Sequence, residues 1–351
     1  MKYSNIKTSI LEQFKVEGGN AIVPFILGAP GGGKSALIRE VAQTMFAERG
    51  LPMIQYDDSN PDTWETANYV EFNASLRDPV DLLGTPNNTG TATRWKAPGE
   101  FYALRRGTGF KIVNFEELSD ASTAMQNGIC SVIYDDRAGN TLLTKELFKM
   151  ATGNRTEDKS GANRITGKLA NRTRLFNFQE NLEDWTEWAL NNGIDEILIQ
   201  FLRFRPGLLS DYEANRFANP TPRSWGRVSL IPASLDNGLY FDNCAGEVGE
   251  GPAAEYTGFR RIYQKMPNVD AILLDPMGAE VPQDPATLYA LTGALARKAT
   301  KDNFDRVSKY LGRMSPEFNI MATKDAIKLQ PSIKHTRSFV EWATKHSEVL
   351  M

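Results

Sequence analysis

The chain has 351 residues, 41% apolar and 24% charged, with a net charge of −3 and a pI near 5.7. That composition leaves room for a sizeable core and two domains, and it excludes the overall basic footprint of a tight nucleic-acid binder. Two cysteines, Cys130 and Cys244, and two histidines, His335 and His346, exclude a disulfide framework and a Cys/His zinc spacing.

The opening MKYSNIKTSILEQF has no uninterrupted apolar segment and does not read as a secretory signal. No apolar run approaches membrane-spanning length, so the expected setting is soluble and cytoplasmic. Residues 21–27, AIVPFIL, read as a strand. They run into GAPGGGKS at residues 28–35, a complete phosphate-binding loop between a strand and a helix. The helix is expected over residues 35–48, with Leu37, Ile38, Val41 and Met45 on one stripe. Residues 51–56 and 70–73 read as short strands separated by a polar surface excursion. Residues 110–115 form a compact apolar strand ending in Glu116 and Glu117, and residues 122–134 a helix. Residues 147–153 and 175–178 are further strands. Strands alternating with helices predict an α/β fold with a mostly parallel sheet covered on both faces. Past residue 180 the texture turns helical, with helices expected over 184–191, 194–204, 255–263, 285–299, 304–311 and 332–350. The expected division is a core at 1–180, a helical lid at 181–300 and a helical extension at 301–351.

The loop makes a chemical commitment. Its glycines turn backbone N–H groups inward onto phosphate oxygens, and the following helix offers its positive end. Gly28, Ala29, Pro30, Gly31, Gly32, Gly33, Lys34, Ser35 and Ala36 are therefore the candidate nucleotide-binding residues. Lys34 is expected to reach the β- and γ-phosphates, and Ser35 to give its hydroxyl to Mg2+. Glu116, where such ATPases usually carry Asp, would be the metal-side acid, and Glu117 the general base for an attacking water. A solvated acidic pair at a strand end is the competing reading. Asn154, at the end of strand 147–153, could orient that water; alone it reads as a turn residue. Arg155, Arg164, Arg172 and Arg174 cluster in one segment. Arg223 follows Pro222 in the first turn of a helix, an unfavourable place for a cation unless it faces a phosphate.

Taken in order, these motifs resemble the AAA+ ATPases, and within them the MoxR family. The segments are GAPGGGKS, RDPVDLLGTP (77–86), FEELSDASTAMQNGICSVIYDDR (115–137), ATGNRTED (151–158), KLANRT (168–173) and PTPRSW (220–225). The resemblance implies a P-loop AAA+ core followed by an α-helical lid. It assigns Asn154 as sensor 1, Arg172 as an arginine finger acting on a neighbouring subunit, and Arg223 as sensor 2 in the lid. Arg174 stays a rival finger. Residues 57–69 look inserted relative to the simplest members. The resemblance also implies a hexameric ring, a protein partner carrying a von Willebrand A domain, and a hairpin within residues 82–106. There Trp95 is either a substrate contact or an ordinary packing residue.

The leading expectation is an ATP-hydrolysing, Mg2+-dependent, chaperone-like machine that remodels a protein partner. A nucleic-acid motor or loader is the second class, and the low pI argues against it. A slowly hydrolysing, nucleotide-gated scaffold is the third, kept open by Glu116 standing where Asp is usual.

Overall fold

The structure is a computed structural model and describes residues 1–88, 90–158, 161 and 163–349. The expectations touching Thr89 and Leu350 lie outside those residues. The chain divides into two compact units, Met1–Asn181 with Tyr212–Asn215, and Leu182–Asp211 with Arg216–Met351.

The first unit holds nine strands among the described residues: β1 (Val23–Leu27), β2 (Tyr69–Asn73), β3 (Thr85–Asn87), β4 (Arg94–Lys96), β5 (Lys111–Glu116), β6 (Arg137–Ala138), β7 (Thr141–Leu142), β8 (Leu147–Gly153) and β9 (Thr173–Asn177). Five of them form one sheet in the order β2-β5-β8-β1-β9, every pairing parallel. The remaining strands form two small hairpins, β3-β4 and β6-β7. Helices α1 (Tyr3–Lys15) and α2 (Lys34–Glu48) belong to the same unit.

Alternation along the strands divides the core in two. Val23 and Phe25 of β1 and Val113 and Phe115 of β5 pack on the helix Thr123–Asp135 through Met125, Ile129 and Val132. Ile26 of β1, Ile112 of β5 and Met150 of β8 face the other way, onto Ile6 and Ile10 of α1 and Leu37, Ile38 and Val41 of α2. Each such side chain taken out of water contributes about 1.5–3 kcal/mol. A parallel sheet needs both faces covered, because its crossover helices leave neither face to solvent. The expected α/β core followed by a helical region is therefore present.

The strand expected over residues 51–56 does not form. Only Gln55 bridges to Tyr69. The Asn68 carboxamide accepts from the Ile54 N–H at 2.7 Å and donates to the Pro52 carbonyl at 2.8 Å, using backbone groups a ladder would have used. The polar stretch that follows is exposed and ends in the short helix Thr63–Thr66.

The second unit is helical and carries two cores of its own. One gathers Trp185, Leu198, Phe201, Trp225 and Tyr256, with the Trp225 indole N–H donating to the Leu208 carbonyl at 2.7 Å. The other gathers Leu291, Leu295, Phe304, Tyr310 and Ile333. The single helix expected over 332–350 is instead the 3-10 turn Pro331–His335, the helix Arg337–Lys345 and the 3-10 turn Ser347–Val349. Thr336 caps the middle piece by accepting from the Phe339 N–H.

Candidate functional site

Strand β1 delivers the phosphate loop at the C-terminal edge of the parallel sheet, and α2 begins at Lys34. Gly31 and Gly33 have φ of +76° and +105°, which residues with a Cβ rarely adopt. The loop thus needs its glycines to turn. The Lys34 ammonium donates to the carbonyls of Gly28 (2.9 Å) and Ala29 (2.8 Å) and to Asn154 Oδ1 (3.0 Å). One cation therefore ties the loop to the end of β8.

Beside the loop, the Ser35 side chain neighbours the Glu116 carboxylate at the end of β5 and favours its ionised form. Burial raises the pKa of Glu116, Glu71 and Glu117 raise it further, and Ser35 and Arg39 act against them. A divalent cation here would relieve that cost. Ser35 and Glu116 are two adjacent hard oxygen donors. Among the described residues no group of three His, Cys, Asp or Glu side chains gathers into a metal cage. Such a sparse donor set fits Mg2+, which is bound through one or two protein oxygens together with water and substrate phosphates.

Glu117 has a φ of +50°, one of two positive values outside glycine among the described residues. Its exposed carboxylate accepts from Ser75 Oγ at 2.6 Å and Asn73 Nδ2 at 3.3 Å. Asn73 ends β2 level with Glu116 in the parallel register. Asn154 makes no hydrogen bond to either acid among the described residues. It lies between Lys34 and Asp120, donating from Nδ2 to Asp120 Oδ2 at 2.9 Å.

Arg172 and Arg174 lie toward the opposite edge of the sheet. Arg172 precedes β9, whose residue Thr173 is level with Val23, the first residue of β1. The phosphate loop follows Leu27 at the other end of that strand. Five strand residues, about 16 Å, separate the two edges. Arg172 lays its guanidinium 4.8 Å over the Tyr134 ring, donates to the Lys168 carbonyl at 3.0 Å, and borders an open groove of about 460 Å³. Its buried Nε has no hydrogen-bond partner. Arg174, within β9, donates to Gln13 Oε1 at 3.1 Å. Arg223 occupies the second unit, in the helix Pro222–Val228, exposed and without a side-chain hydrogen bond among the described residues. A reciprocal capping box between Thr221 and Ser224 fixes that helix start. Trp95 is half-exposed on β4 opposite Pro86 of β3.

Sequence reasoning missed four side chains that shape this site: Asn73, Ser75, Asp120 and Glu180. The Glu180 carboxylate lies against the loop; a methyl group on Gly32 would stand 2.3 Å from its Oε1. That oxygen is buried without a hydrogen-bond partner, and burial raises the Glu180 pKa. Only the polar residue type at the strand end could have flagged Asn73. Nothing local flagged Glu180.

No family model matches this chain, and no curated protein matches it. Solved structures similar to it include a mutant of RuvB from Thermotoga maritima, with 14% identity, coverage of 83% of this chain and 80% of that one, and a TM-score of 0.39. Brucella abortus NtrX in complex with ADP gives 14% identity, 92% and 68% coverage and a TM-score of 0.35. Hsp104 with ATPγS and FITC-casein gives 14%, 75% and 42%, and 0.33. At such values no residue role or ligand carries over from them.

Proposed function

We propose that this chain is an AAA+ ATPase of the MoxR kind, which binds ATP with Mg2+ and uses hydrolysis to remodel a protein partner. The observation that carries the reading is the Lys34 ammonium, held between the phosphate-loop carbonyls and Asn154 beside the Ser35–Glu116 pair. In this reading the loop N–H groups and Lys34 bind the phosphates, and Mg2+, held by Ser35 and Glu116, neutralises their charge. Glu117 takes the proton of the attacking water. Its carboxylate is tethered to Asn73 and Ser75. The separation of Arg172 from the chain's own loop supports a finger that serves a neighbouring subunit, hence a ring. Arg223 would act from the lid. A hexamer, a von Willebrand A partner and a cytoplasmic setting follow from the motif resemblance. The buried, unpaired Cys130 and Cys244 accord with a reducing compartment. No described helix is long and apolar enough to cross a membrane.

A Glu117→Gln variant is expected to bind Mg-ATP with nearly unchanged affinity and to lose turnover by about 100-fold or more, the usual weight of a general base. Phosphate release and fluorescent-nucleotide titration measure the two. Retained turnover removes Glu117 as the base. A slowly hydrolysing scaffold is the reading favoured if the wild-type chain binds ATP and releases almost no phosphate. The tether on Glu117 is the observation behind it.

A further inference from the structure

A carboxamide has a donor end and an acceptor end, and its orientation is set by what faces each. At Asn154 both neighbours are unambiguous. The Lys34 ammonium can only donate, and it lies 3.0 Å from Oδ1. The Asp120 carboxylate can only accept, and its Oδ2 lies 2.9 Å from Nδ2. Turning the amide over would set oxygen against carboxylate and NH2 against ammonium.

Asp120 is itself fixed. Its Oδ1 accepts from Ser119 Oγ at 2.7 Å, and its backbone N–H donates to the Glu117 carbonyl at 2.9 Å. The Ser119 hydroxyl, having given its hydrogen to Asp120, accepts the Asn154 backbone N–H at 2.7 Å. Asn163 closes the turn by donating to the carbonyls of Ser119 and Asp120. The segment after Glu117 is thereby bonded to both the backbone and the side chain of Asn154.

We infer that Asp120 is a positioning residue that holds the Asn154 amide with its oxygen toward Lys34 and the phosphate loop, so that Asn154 works there as an acceptor. The inference rests on the ATPase reading above. Its consequence is specific: Asn154 can accept a hydrogen from Lys34 or from the attacking water. The N–H that Asn154 gives to Asp120 is not available to a phosphate oxygen.

Exchanging the two groups tests this. Asn154→Asp sets two carboxylates together, and turnover at saturating Mg-ATP should fall by about 50-fold or more, with a lower melting temperature. Asp120→Asn removes the lock; kcat should fall by roughly tenfold while KM stays within about threefold. The double variant Asp120→Asn/Asn154→Asp restores net charge and the donor–acceptor pair in reverse, with an oxygen still facing Lys34. It should recover at least about tenfold over Asn154→Asp and regain its melting temperature. A double variant as inactive as Asn154→Asp would mean that the Asn154 NH2 is needed at the phosphate, and the inference falls. It falls equally if Asp120→Asn matches the wild type. If the wild-type chain shows no turnover, the ATPase reading fails by itself. The melting temperatures then decide: recovery in the double variant supports the pairing, and additive losses overturn it.

Discussion

At the scale of single residues, Glu180 sets the site apart from a bare phosphate loop. An acid beside a phosphate site is unfavourable when ionised, because phosphate brings charge of the same sign. Burial raises the Glu180 pKa and Asp158 adds to that, outweighing its own backbone N–H, Arg155 and Lys34, which favour the ionised form. Nucleotide and proton should therefore bind together. As pH rises through the Glu180 pKa the carboxylate forms, and nucleotide affinity should fall. We expect Glu180→Gln to bind ADP more tightly on the alkaline side of that transition, by about tenfold, and to flatten the decline. Titrations of fluorescent ADP at several pH values measure both. Equal slopes in wild type and variant would exclude Glu180 from the linkage.

At the scale of elements, the second unit joins its helices through buried charge. Arg203 on helix Glu196–Phe204 forms a bidentate pair with Asp325 on helix Pro316–Leu329, one arm at 2.9 Å. Glu196 is less well served. Neither carboxylate oxygen has a hydrogen bond, Arg297 on helix Pro285–Lys298 stands 3.6 Å away, and burial pushes the Glu196 pKa up to about 7. The folded state therefore binds this proton more tightly than the unfolded chain. The cost of ionising Glu196 is absent below about pH 4.5, grows as pH rises, and is complete above about pH 7. It is on the order of 3 kcal/mol at most. Glu196→Gln should raise the melting temperature at pH 8 and leave it nearly unchanged at pH 4.5. A uniform shift across pH would contradict this account.

Elements of this kind also show what could be read from the chain. Local signals carried the phosphate loop, because Gly31, Gly33 and Lys34 act within a few residues of one another. Strand β8 was legible from its apolar run, and its parallel neighbours from the alternation with helices. Residues 51–56 were not, since the Asn68 carboxamide that interrupts them is a distant competitor for backbone hydrogen bonds. The partners of Glu117 and Asn154 were hidden for a similar reason. Asn73 and Ser75 reach Glu117 only through the parallel register of β2 with β5, and Glu180 reaches Gly32 only once β9 lies beside β1.

At the scale of the whole molecule, the proposed assembly makes a prediction that no single chain can. ATP should promote oligomers, and gel filtration with a slowly hydrolysed analogue that yields only monomer would refute the ring. The sheet itself dictates how such an assembly is wired. Lys34 sits past the end of β1, and Arg172 sits before the start of the adjacent β9. Every contact would then join unlike surfaces, one contributing the loop and the other the arginine. In such a ring two crippled proteins should therefore repair each other. Lys34→Ala keeps a sound arginine, and Arg172→Ala keeps a sound loop. Mixed one to one, they should rebuild roughly a quarter of the junctions intact, so activity returns from two inactive preparations. In the proposed ring, the direction of the strands, fixed when the sheet forms, would make catalysis a property that subunits share.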